Sequence, residues 1–499
     1  MATPFIANTS AGPVRGLEIA DGIAAWRGIP YAAPPVGPLR LRPPQPPEPW
    51  SGVRDATSYQ APAPAPPLPQ TASVLSDGGS AVQLPPPSED CLYLNVTAPA
   101  GAVRRPVLVW IHGGGYQVGA GTDMAEDGSS FARSHGLVVV SFGYRLGALG
   151  FLAVPGEEHS GAFGLHDQIA VLRWIRDNIE AFGGDPGNVT IYGVSAGAKS
   201  VANLLASPLA RGLVHRAASS SGGADHVATP AQAANVARSF FRELGTGPER
   251  IREVDAQDIL HAQGAFGDIV HTMWLWRPAI DGLALTARPL DAVAAGSAAG
   301  VALLAQHCVE ECALFQLIAP DTAEQADRVL ADYFGAAARA EILDAYAEAR
   351  PDLAEDPVRL RVAIMTDERY AVPTTRLADA QCRYGPVWRS RYDGPLTGLP
   401  PVLAPSGTAP AVHGADGMQI WSGGSGLAGV LHDVWGVFAG GSAPGADGLP
   451  AWPGYDTGRR ATMVFDSAGS AVVDDPQAAQ RRIWDGRVWE SGTWWPSDG

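Results

Sequence analysis

Val189–Ser200 reads VTIYGVSAGAKS. Val189–Tyr192 is an apolar run short enough for a buried strand. It passes without a spacer into Gly193-Val194-Ser195-Ala196-Gly197 and then into small residues suited to a helix. This is the G-x-S-x-G nucleophile elbow in the strand–turn–helix context that gives the motif its meaning. A serine on so sharp a turn needs glycine on both sides, because side chains there would collide with the adjoining strand and helix. The turn presents the serine oxygen at a helix N-terminus, whose peptide dipoles stabilise developing negative charge. The plain alternative, an ordinary glycine/serine turn, does not explain that context.

Upstream, Pro106–Ile111 (PVLVWI) runs directly into His112-Gly113-Gly114-Gly115-Tyr116. A glycine run after a strand can turn two backbone N–H groups toward one point. With the Ala196 N–H, Gly114 and Gly115 would complete a three-donor oxyanion hole, each donor worth a factor of about 10²–10³ in rate. A phosphate cradle is the competing reading, but neither G-x-x-x-x-G-K-[ST] nor G-x-G-x-x-G accompanies the run. Leu137–Ser141, Val301–Ala305 and Thr462–Phe465 are further runs apolar on both faces, as in central strands of a parallel sheet covered by helices. Between them, Gly164–Phe182 sets Ile169, Leu172, Ile175 and Ile179 at helical spacing and stops at Gly183-Gly184-Asp185-Pro186. Ala231–Leu244 and Thr322–Tyr346 read as helices of a cap. Strands alternating with helices predict an α/β class. Before them, Pro34–Pro49 and Pro62–Pro87 are too proline-dense for helix and predict extended loops, with a strand-like segment resuming at Ser88–Val96.

At roughly 150 residues per domain, 499 residues would suggest about three domains. Hydrophobic residues at 46% and charged residues at 17% suffice for a large core. The net charge of −16 argues against nucleic acid, which needs a basic footprint. No apolar stretch reaches the roughly 18 residues of a membrane span, and Met1–Ala20 has no secretory pattern. Cys91, Cys308, Cys312 and Cys382 lack paired zinc spacing and read as free thiols of a cytoplasmic protein. Of the 35 basic residues only Lys199 is a lysine, and it lies four residues after Ser195.

Taken in order, RGIPYAAPPVGPLRLRPP (Arg27–Pro44), SEDCLYLNV, VWIHGGGY, SFGYRLGALGFL (Ser141–Leu152), FGLHDQIAVLRWIRDNIEAFGGDPGNVTIYGVSAG (Phe163–Gly197), RPAIDG (Arg277–Gly282), WGVFA (Trp435–Ala439) and AWPGYD (Ala451–Asp456) carry a resemblance. The chain resembles the type-B carboxylesterase/cholinesterase-like family, in its bacterial branch. That resemblance implies an α/β-hydrolase fold, with a central, mostly parallel mixed sheet, flanking helices and helical cap insertions. It implies one domain over residues 1–499 with long insertions. It further implies ester hydrolysis through an acyl-serine, no metal or organic cofactor, and a small-molecule ester as partner, without nucleic acid or membrane. The protein would be a monomer or homodimer.

The family order is serine, acid, histidine. The resemblance places the acid in VALLAQHCVEECALF (Val301–Phe315), where the family's spacing to Phe315 selects Glu311, the expected acid, although counting from the strand would favour Glu310. The base is His413 in AVHGADGMQIW, which resembles the family's H-x-x-E segment with Asp416 in place of Glu; His432 is its rival. Trp274, Trp276 and Phe315 are equally consistent with pocket lining and with core packing. The position before the nucleophile, Glu in relatives, is Val194, which predicts a drier pocket without preference for cationic esters. Lys199 stands where the family has a small residue; it predicts either a helix-edge lysine or a buried ion pair with Glu310, Glu311 or another carboxylate. No cysteine precedes Cys91, so the disulfide of exported relatives has no partner here. The same residues would also serve a specialised acyl-transfer or lactone-processing enzyme, and the family includes non-catalytic binding proteins.

Overall fold

The apolar runs become neighbouring strands of one sheet. A computed structural model describes residues 5–66, 84–122, 127–269, 275–319, 321–397 and 408–489. Among them thirteen strands share this sheet. Its centre is parallel: Val138–Phe142, Arg105–Ile111, Gly184–Val194, Arg216–Ser220, Ala302–Cys308, Val387–Tyr392 and Ala461–Phe465 lie side by side in that order. The edges are antiparallel, apart from the two-residue strand Arg54–Asp55, which runs parallel to Pro13–Ala20. Phe5–Asn8, Pro13–Ala20, Ile23–Pro30 and Tyr93–Pro99 flank one side, and Ala471–Asp474 closes the other.

Alternation along each central strand feeds two cores. Val107, Val109, Ile191, Ala217 and Leu303 point to one face, where Leu165, Ile169, Leu172, Ile175 and Val201 cover them. Leu108, Trp110, Tyr192, Ala218 and Leu304 point to the other, beneath Leu431, Trp435 and Phe438. A sheet buried on both faces explains why these strands read as continuous apolar runs. The first covering helix is Phe163–Asn178, ending in a 3₁₀ turn at Ile179–Phe182. Gly183, at φ 81°, stops it; a Cβ there would lie 2.3 Å from the Ala102 carbonyl oxygen.

Pro230–Leu244 begins at a capping box formed by Thr229 and Gln232. The helical stretch Thr322–Ala349 is broken at Gly335 (φ 81°, ψ 161°), so the single helix expected there is two. Three features were not expected. Arg216–Ser220 (RAASS) and Val387–Tyr392 (VWRSRY) are central strands although neither is an apolar run. Arg389 is buried in the second, its guanidinium donating to the Ala305 and Ser390 carbonyls and to His307 Nδ1. Between helices Pro357–Thr366 and Val372–Gln381 the chain makes a π turn, Asp367–Ala371, buried throughout.

Candidate active site

Strand Gly184–Val194 ends and helix Ala196–Ala206 begins with one residue between them, Ser195. Its backbone is at φ 60°, ψ −125°, a conformation held only where the surroundings over-determine it. The surroundings do so tightly. A Cβ on Gly193 would sit 2.3 Å from the Gly197 carbonyl carbon, and a Cβ on Gly197 2.0 Å from the Ile111 carbonyl oxygen. The Ser195 N–H donates to the Ser220 carbonyl at 3.0 Å.

The glycine loop leaves strand Arg105–Ile111 beside this turn. Gly114 (φ 99°), Gly115 (φ 63°) and Tyr116 (φ 62°) are left-handed. A Cβ on Gly113 would be 3.2 Å from Ser195 Cβ, so loop and serine touch. Tyr116 fastens the loop to the helix behind the serine, its hydroxyl accepting from Ser200 and Asn203 at 3.3 Å each. His112 stacks on Tyr144 at 4.2 Å, and its carbonyl accepts from the Tyr144 hydroxyl.

Sheet register brings Glu311 to the same edge. Val194 and Gln306 both pair with Ser220, so the strands bearing Ser195 and leading to Glu311 are two positions apart, about 10 Å. Glu311 is fully buried. Its Oε1 accepts from the Cys308 N–H at 2.7 Å, and its Oε2 lies 2.6 Å from His413 Nδ1. A carboxylate only accepts, so Nδ1 carries the proton and Nε2 the lone pair. Nε2 is buried without a hydrogen-bond partner among the described residues. Glu310 instead turns outward, 3.8 Å from Arg359. His432 is occupied elsewhere, with Ser134 Oγ at 2.8 Å, the Ile420 carbonyl at 2.9 Å and Phe131 stacked at 4.1 Å.

Two rings flank the His413 imidazole: Phe315 at 5.3 Å and Tyr370 at 4.6 Å. Trp276 is a core residue, edge-on to Phe240 at 5.2 Å, while Trp274 lies outside the described residues. Tyr370 belongs to the π turn, and its DERYA context (367–371) reads as a solvated charge run, so no sequence signal marked it. Asp416 is fully buried and accepts from Gln306 Nε2 at 2.5 Å and from Cys308 Sγ at 3.4 Å. Burial, then the Glu311 carboxylate, push it above the usual carboxylate range against those hydrogen bonds. Val194 is buried among Trp110, Tyr192 and Trp421. Lys199 is not at a helix edge. It is buried, donating to the carbonyls of Gly222 at 3.0 Å and Arg369 at 3.4 Å. All four cysteines are free thiols, and no described helix is long and apolar enough to cross a membrane.

Residues 3–484 match the model of the carboxylesterase family. The para-nitrobenzyl esterase of Bacillus subtilis (strain 168) is 36% identical, over 96% of this chain and 98% of its own length. Phenmedipham hydrolase of Pseudarthrobacter oxydans is 33% identical, over 95% and 98%. Among solved structures, a PNB esterase superposes with TM-score 0.82 at 34% identity, covering 96% of this chain and 99% of the other. The carboxylesterase of Geobacillus stearothermophilus superposes with TM-score 0.82 at 32% identity, over 96% and 100%. An α/β-hydrolase architecture, a family match over almost the whole chain and esterase relatives of full length agree: this chain belongs to the carboxylesterase family and is a carboxylic ester hydrolase.

Proposed function

We propose that Ser195, His413 and Glu311 perform the hydrolysis as nucleophile, general base and orienting acid. Ser195 Oγ attacks the ester carbonyl carbon while His413 Nε2 takes its proton. The resulting oxyanion is held by the N–H groups of Gly114, Gly115 and Ala196. Collapse breaks the bond to the alcohol oxygen, which receives the proton from the imidazolium; water then repeats the cycle on the acyl-serine and frees the acid. The observation that carries this reading is the Glu311–His413 pair, whose Nε2 has no hydrogen-bond partner among the described residues and lies at the same sheet edge as the half-buried Ser195. Glu311 stabilises the imidazolium and fixes its tautomer.

The site favours neutral esters, because Val194 puts an apolar side chain where a relative's carboxylate would stand. Residues 1–499 act as one catalytic domain with insertions, as a monomer or homodimer. The four free thiols support a cytoplasmic location. The test is hydrolysis of a p-nitrophenyl ester by wild type and Ser195→Ala, with mass spectrometry of a phosphonate adduct. Activity surviving in Ser195→Ala, or an adduct on another serine, would overturn the assignment.

A further inference from the structure

Lys199 joins three segments that meet at the site. Its N–H closes the first helical hydrogen bond to the Ser195 carbonyl at 2.9 Å. Its ammonium donates to the Gly222 carbonyl, two residues beyond the Ser220 carbonyl that accepts the Ser195 N–H. The same ammonium donates to the Arg369 carbonyl and lies 5.4 Å from the centroid of the Tyr370 ring, which it faces. In a π turn the carbonyls are displaced from α-helical partners, so an outside donor has a defined job there. Tyr370 in turn packs on His413 at 4.6 Å.

We propose that Lys199 is a positioning residue, clamping the π turn so that the Tyr370 ring holds the His413 imidazole in line with Ser195. The proposal rests on His413 being the base. A buried ammonium is costly unless compensated. Burial pushes the amine down, while Asp225, Glu368 and Glu311 favour its charged form and Arg277 opposes it. A lysine here carries a desolvation cost that a small residue would not incur. Clamping the turn requires its reach, its donors and its attraction to a ring face.

The experiment is a double-mutant cycle on the full chain with Lys199→Met, Tyr370→Leu and the pair, assayed on p-nitrophenyl acetate. A phosphonate titrant counts competent serines, and the low-field proton resonance of the His413–Glu311 hydrogen bond is followed. A misplaced base costs rate rather than binding. Each single variant is expected to lose about 10–100-fold in kcat per titrated site with KM within about twofold. The low-field resonance should shift or broaden, and the double variant should be no slower than the slower single one. Turnover per site within about twofold of wild type, or losses that multiply in the double variant, would overturn the proposal. Should Lys199→Met yield no titratable serine, Tyr370→Leu alone decides, since it leaves the ammonium and both carbonyls in place; unchanged kcat there overturns the clamp. Failure of the underlying assignment is separate, because it shows as titrant bound elsewhere than Ser195.

Discussion

Glu311 Oε2 stands 2.6 Å from His413 Nδ1, while the other oxygen of that carboxylate is pinned by the Cys308 N–H at 2.7 Å. Both lone-pair sides of the acid are thus committed, and the imidazole has one orientation. Glu311→Gln replaces an obligate acceptor with a group that can donate, favouring the wrong tautomer. A fall of about 10³–10⁴-fold in kcat is expected with KM little changed. Glu310→Gln removes only a long, solvent-facing pair with Arg359 and should leave both constants within about twofold. Steady-state kinetics on the two variants would reverse the assignment if their effects were interchanged.

The elbow glycines are steric requirements. Gly197→Ala would place a methyl carbon 2.0 Å from the Ile111 carbonyl oxygen, a backbone atom of a central strand that cannot yield. The expected loss is about 3 kcal/mol, the upper range for overpacking, together with a displaced Ser195. Urea unfolding measures the first and titration of competent serines the second. A variant as stable as wild type would show that the turn relaxes.

Asp367 gives a pH signature with a definite sign. Burial pushes its carboxyl up to about 6, against donors from Tyr346 and Gln480 at 2.7 Å each. Because the folded value lies above the unfolded one of about 3.9, the unfolded chain releases this proton first as pH rises. The group therefore costs little at pH 4 and below and progressively destabilises the fold as pH rises through 6, by about 3 kcal/mol at most above about pH 7. Asp225, also pushed up to about 6 by burial, acts in the same direction. Asp367→Asn should match wild type in urea unfolding at pH 4 and exceed it at pH 7. A variant weaker at pH 7 than at pH 4, relative to wild type, would contradict the sign.

Val194 offers a test of substrate charge. Val194→Glu would set a carboxylate next to Ser195 but within a cluster containing Trp110, Tyr192 and Trp421. Relative kcat/KM for a choline ester over its neutral 3,3-dimethylbutyl isostere should rise about tenfold or less, with some loss of stability. Wild type should prefer the neutral ester. An unchanged ratio would mean that the position does not see the alcohol.

Much of this was readable because burial on both faces writes itself into sequence. Val107–Ile111, Val138–Val140 and Val189–Tyr192 have no polar face to hide. The elbow was readable because its glycines are sterically forced. Arg216–Ser220 was not, since small and hydroxyl residues fill a crowded interior as well as a loop. Val387–Tyr392 was missed because Arg389 buries its charge against carbonyls, a solution that only tertiary structure reveals. The choice between adjacent Glu310 and Glu311 depended on which one faces inward, and two counting rules disagreed about it. Tyr370 was hidden most completely, as a π turn moves residues off helical spacing and here buries a run of charges. The ion pair expected for Lys199 with Glu310, Glu311 or another carboxylate takes a different form: the ammonium donates to two carbonyls, Glu310 lies at Arg359, and Asp225 leads the buried carboxylates that favour its charge.

The burial of Lys199 also changes how the molecule meets reagents. It is the only side-chain amine in 499 residues, and 3% of its surface is open to solvent. Reagents that couple to lysine, such as N-hydroxysuccinimide esters, glutaraldehyde or reductive methylation, therefore find no amine on any side chain at the surface. Acylation of Lys199 becomes a clock for local opening behind Ser195: its rate counts excursions in which helix and π turn part, with no background from other lysines.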